Sequence, residues 1–168
     1  NNTMMRIDLD KPLLNGQKVS FDIKWWYNIN DRMKIGGRSG LEYFEEEDNY
    51  LYTIAQFFPR MAVYNDVEGW QNKQFLGGGE FAVPFGDYTV NITVPADHIV
   101  GSTGKLQNAS SVLTPEQRKR WSQAQNSYDT PVMIVTPEEA LEAEKTKSTE
   151  KKTWTFKATN VRDFAFAT

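Results

Sequence analysis

His98, in "PADHIV", is the single histidine of a 168-residue chain that contains no cysteine. An imidazole can exchange a proton near neutral pH. A protein zinc site, however, draws on three or four His, Cys or carboxylate ligands. No second histidine exists to share a metal, and no His-Glu-x-x-His, Ser-His-Asp or Cys-His arrangement can be assembled. His98 therefore reads as a surface or packing residue. "FEEED" (Phe44 to Asp48) offers adjacent carboxylates for acid–base work, but acids in a hairpin turn read as solvated charge. "LGGGEF" (Leu76 to Phe81) has three glycines without the lysine and hydroxyl that a phosphate loop requires. Its glycines are expected to let the chain turn or approach another backbone.

The stretch "YTIAQFFPRMAVYNDVEGWQNKQF" (Tyr52 to Phe75) is richer. It holds six aromatics, a proline, two basic and two acidic residues. In a structural role, Phe57, Phe58, Trp70 and Phe75 fill a core. In a functional role, Gln56 is the polar group among the rings. On the face of Tyr50, Tyr52 and Ile54 it points with residues that look covered, where an amide must find partners. A strand end facing a cleft would supply them.

The elements that must position these groups are mostly strands. Val19, Phe21, Ile23, Trp25 and Tyr27 alternate with polar residues through "KVSFDIKWWYN", which predicts a half-buried strand. Trp26 breaks the polar face, so that side is also expected to be covered. Asp31 to Gly40 reads as a loop. "LEYFEEEDNYLYTIAQFF" predicts a hairpin turning at Glu46 to Asn49 and ending at Pro59. Phe81, Val83 and Phe85 predict a strand that turns at Gly86-Asp87 into a second, with Tyr88, Val90, Ile92 and Val94 on one face up to Pro95. Trp154, Phe156 and Ala158 alternate as a further strand. Two short helices open on Thr114-Pro115 and Thr136-Pro137, with Gln117 and Glu139 as capping-box partners.

The sum predicts an all-β fold: a mostly antiparallel β-sandwich or saddle-shaped sheet with two short helical insertions, one domain over residues 1–168. A net charge of −3 with mixed signs argues against a nucleic-acid face. No apolar run reaches the ~20 residues of a membrane span. Hydrophobic residues are 39% and aromatics 13%, so the core should rest on large rings.

From Tyr52 to Asn108, again in "PVMIVTPEEA" and "KTWTFKATNVRDFAFAT", and backward through "GQKVSFDIKWWYNIN", the chain resembles over most of its length the N-terminal domain of bacterial zinc aminopeptidases. These are gluzincins of the aminopeptidase N and leukotriene hydrolase type. The pattern lies in Gln-x-x-Pro-Arg, Gly-Glu-Phe, Gly-Asp-Tyr, Thr-Val-Pro, Thr-Gly-x-Leu-Gln-Asn and Arg-Asp-Phe-Ala. The resemblance implies a non-catalytic β domain that walls the active-site cleft. The native chain is then expected to extend beyond both ends, with a catalytic domain carrying the zinc as partner. It implies no catalytic or metal-binding residue in this chain, and a peptide substrate whose first side chain contacts Gln56. Ala55 and Phe58 stand where the family has a threonine and a second polar residue, so contact with the substrate amine from this domain is not expected. The periplasm or cell envelope is the compartment expected of the parent enzyme. Two other classes compete: a free-standing carbohydrate- or protein-binding β-sandwich, motivated by five tryptophans and Trp26, and a scaffold that never touches substrate.

Overall fold

The computed structural model describes residues 3–78 and 82–168. It divides into two compact units: Asn1–Ile29 with Pro59–Pro84, and Asn30–Phe58 with Phe85–Thr168. The larger unit is built around β8 (Lys151–Val161). Trp154, Phe156 and Ala158 alternate along it and are buried. β8 pairs antiparallel with β5 (Gly86–Pro95). Ile92 lies opposite Trp154, Val90 opposite Phe156 and Tyr88 opposite Ala158, so one face carries an apolar ladder. The other face carries polar pairs: Thr93 and Thr153 hydroxyls 2.8 Å apart, and Thr155 donating to Asn91 at 2.8 Å. Such opposed pairs are the unit of sheet stabilisation. β7 (Lys105–Leu106) adds to the second edge of β8.

The second sheet runs β1-β2-β9-β6, all antiparallel. β1 (Gly40–Phe44) and β2 (Asn49–Ile54) form the predicted hairpin, turning through residues 45–48, one residue ahead of the expected Glu46 to Asn49. β9 (Phe166–Ala167) lies between β2 and β6 (Gly101–Ser102). Phe164, just before β9, has no exposed surface and joins Val100, Leu106, Val112 and Leu113 in the core. Gly104 allows the turn between β6 and β7. Its φ is +86°, and a Cβ there would lie 2.4 Å from the Lys157 carbonyl oxygen, so only glycine fits.

Both predicted helices form. In α3 (Pro115–Ala124) Thr114 and Gln117 complete a capping box, as Thr136 and Glu139 do in α4 (Pro137–Glu144). Arg120 ties the two helices by donating to both oxygens of Glu139, at 2.5 and 2.6 Å. Two single-turn helices were not foreseen, α1 (Arg32–Ile35) and α2 (Ala109–Val112). α1 arises inside the expected glycine loop because the Asp31 carboxylate accepts from Met33 N–H and Lys34 N–H, and Gly36 closes it at φ 68°. Among the described residues no helix is long and apolar enough to cross a membrane.

In the smaller unit, β3 (Tyr64–Asn65) and β4 (Gly69–Trp70) make a minimal hairpin. Asn65 Oδ1 accepts from Val67 and Glu68 N–H, and the Tyr64 and Trp70 rings meet edge-on at 5.3 Å. Trp70 and Phe75 are exposed here and fill no core.

The expected strand over Lys18–Tyr27 does not form: the segment lies outside every helix and strand, and Trp26 is 85% exposed. Alternation marks a face that could be covered, but a strand also needs a partner for its ladder. Among the described residues this segment has none. The predicted strand ahead of Gly86-Asp87 is also absent over residues 82–85, and Phe81 lies outside the described residues. Gly86-Asp87 opens β5 instead of turning the chain. Its irregularity is a register shift between Gly86 and Tyr88.

Phe164 joins the two sheets of the larger unit. Phe164→Ala should cost about 3–5 kcal/mol of stability, the range for deleting a buried ring. Urea unfolding followed by tryptophan fluorescence measures it.

Candidate functional site

Gln56 is not on the Tyr50–Ile54 face. β2 ends at Ile54, before Pro59 could stop it. The Ser39 hydroxyl lies 3.1 Å from Ala55 N, which donates to it, and itself donates to the Thr53 carbonyl at 3.0 Å. This satisfies the backbone that a longer ladder would have paired. Gln56 then turns into the left-handed region at φ 53° and is exposed. The reading of a covered Gln56 is thereby corrected: its amide faces solvent and has no hydrogen-bond partner among the described residues.

Both flanks of Gln56 are fixed. Ahead of it is the Ser39 latch. Behind it, the Phe57 ring meets Phe58 at 4.9 Å and Phe166 at 5.4 Å, and Phe58 meets Tyr88 at 5.6 Å, all edge-on. Among the described residues, two other non-glycine residues have positive φ, Asp48 and Asn160. Those types tolerate the left-handed region because their short side chains bond locally. Glutamine has no such compensation. The conformation costs it about 1–2 kcal/mol, which the anchored phenylalanines impose. Strain of this kind, held by its surroundings, collects at ligand-binding positions.

A second feature was not foreseen. A cleft of about 630 Å³ opens between the β1–β2 hairpin, the segment Pro95–Ile99, and α4 with the loop that follows it. His98 lines it. Its Nδ1 lies 2.9 Å from the Thr168 hydroxyl, and its ring centroid is 6.2 Å from that of Tyr52. The "FEEED" turn is solvated as expected, yet Glu47 reaches the rim of this cleft. The only hint in sequence was the capping box that starts α4. Nothing local announced that this helix would face the hairpin.

Asp97, on the cleft wall, pins the loop after α4. Its Oδ2 accepts from Ser148 N–H at 2.6 Å and from the Thr146 hydroxyl at 3.2 Å. Burial opposes its ionisation. The bonds from Ser148 N–H, its own N–H and the Thr146 hydroxyl, with His98 nearby, outweigh that and hold its carboxyl below the usual range. In "LGGGEF", Gly77 turns at φ +88°. A Cβ on Gly77 or Gly78 would meet open space, so those two make no close backbone approach; Gly79 lies outside the described residues.

Among the described residues no three His, Asp or Glu side chains gather where a metal ion could bind. Comparison with family models, with curated proteins and with solved structures finds no match to this chain.

Gln56→Gly should leave stability unchanged or raised, because glycine accepts positive φ freely. Gln56→Val should cost more than about 1 kcal/mol, since a β-branched residue is an outlier there. Denaturant midpoints of the two variants decide this. For Asp97, a carboxyl held below its ordinary range binds its proton less readily folded than unfolded. Its contribution is complete above the unfolded value, about 3.9, and fades as pH falls through the folded value. Asp97→Asn should therefore melt several degrees below the parent at pH 7, with the gap closing below about pH 3.9. Thermal melts by circular dichroism from pH 7 to pH 2.5 follow it.

Proposed function

We infer that this chain is a non-catalytic domain of a zinc aminopeptidase, walling the cleft and contacting the first side chain of a peptide substrate through Gln56. What supports this is the sequence resemblance, the antiparallel β architecture with its short helices, and above all the backbone of Gln56. An exposed amide, held in a costly conformation between the Ser39 latch and two seated rings, is a pre-organised contact for a ligand. Phe58 packs on Tyr88 and offers no polar group, in keeping with a domain that shapes the side-chain pocket but leaves the substrate amine to other residues. The zinc, which polarises the scissile carbonyl and activates water, belongs in this reading to the catalytic domain.

The test is kinetic. In a chain that carries the catalytic domain, Gln56→Ala should lower kcat/KM by roughly 2- to 10-fold, the worth of one hydrogen bond. The loss should vary with the substrate's first side chain. Unchanged kinetics across such substrates would leave only scaffolding. The 168-residue chain alone should release no N-terminal residue and hold no stoichiometric zinc.

A free-standing carbohydrate-binding module is the second reading, favoured by Trp26, whose ring is open to stack on a sugar face. Saturable quenching of tryptophan fluorescence by a glycan would support it over the first.

A further inference from the structure

The cleft between the β1–β2 hairpin and α4 carries unanswered negative charge. In the larger unit Glu42, Glu139 and Glu142 have cationic partners in Arg32, Arg120 and Lys145. Glu47 and Glu144 both line the cleft, and neither has an ion pair or hydrogen bond among the described residues. Asp97 adds a third carboxylate, held ionised by its hydrogen bonds to the following loop. Among the described residues the one full cation on the lining is Lys147, whose ammonium is turned to the Asp48 carbonyl oxygen. Between the acids the walls are apolar. Phe44, Tyr50 and Leu141 keep 42%, 46% and 58% of their surface exposed. The volume of about 630 Å³ is within the range of sites that take small ligands and leaves room for a side chain with its flanking backbone.

An anion would be repelled here, and a neutral sugar would leave the excess charge unanswered. A group with a hydrocarbon stem and a cationic head answers both features: the stem lies on Leu141 and the rings, and the head meets an aromatic face and the free carboxylates. We propose that this cleft binds a basic side chain, arginine or lysine, presented by a peptide segment. The site is separate from Gln56 and does not depend on its role.

The test is an NMR titration of the intact chain with acetyl-Gly-Arg-Gly-amide and its citrulline counterpart, which has the same shape without the charge. The arginine peptide should give saturable shifts at Tyr50, Leu141 and the backbone of residues 146–148. Its affinity should fall at least 10-fold with citrulline and weaken with added salt. The double substitution Glu47→Gln, Glu144→Gln should weaken binding at least 5-fold. Glu45→Gln, Glu138→Gln, equal in net charge and outside the cleft lining, should leave it unchanged, as should Gln56→Ala. Equal binding of the citrulline peptide, absence of saturable shifts, or an equal loss in the Glu45/Glu138 control would each overturn the proposal. So would cleft shifts induced by a neutral oligosaccharide but not by the arginine peptide.

Discussion

The larger unit depends on the ring face of β8. Trp154 and Phe156, opposed by Ile92 and Val90 across the β5 ladder, form a wall against which Phe164 is sealed without exposed surface. Two residues later Phe166 enters β9 and pairs with Ile54. Its ring also receives Phe57. The position of Phe164 thus sets β9, β9 sets the end of β2, and the end of β2 sets the backbone of Gln56. The backbone that carries the exposed amide is held by a chain of packed rings, and the amide has no hydrogen bond of its own among the described residues.

That dependence explains what was legible. Where burial and pairing repeat a short local rule, the sequence reading and the structure agree. The alternation of Tyr88 to Val94 and of Trp154 to Ala158 is β5 and β8. The acidic turn closes the first hairpin. The Thr-Pro openings of α3 and α4 carry their own caps. Where the outcome turns on a distant partner, the reading failed. Val19 to Tyr27 carries the same alternating apolar face as β8, yet with no neighbouring strand among the described residues it stays outside any ladder. Alternation counts faces; it cannot supply hydrogen-bond partners.

Gln56 failed for a finer reason. Alternation through Tyr50, Tyr52 and Ile54 runs on to position 56, and glutamine has no preference that would warn of positive φ. The turn follows the bond from Ala55 to Ser39, sixteen residues apart, and the seating of Phe57 and Phe58 on rings of other strands. The residue type was readable as a candidate, but its exposure and its backbone were tertiary facts. The cleft was less readable still. Glu47, Asp97, His98 and Glu144 come from three separate segments, and none stands in a motif with another.

The two sites are built by opposite means. At the cleft the cost is electrostatic: acids left without counter-ions on a half-apolar wall are tolerable because water still reaches them, and a cationic ligand would relieve them. At Gln56 the cost is conformational and water cannot relieve it. A glycine or an asparagine would relax that backbone by a single change. A glutamine there gains nothing in stability from its side chain, which has no partner within the described residues. Of the two features the strained amide is therefore the sharper indicator. Unmatched surface charge can arise incidentally, whereas a backbone held at positive φ, with seated rings on one side and a hydroxyl latch on the other, fixes the point from which the amide projects, and strain of that kind collects at ligand contacts.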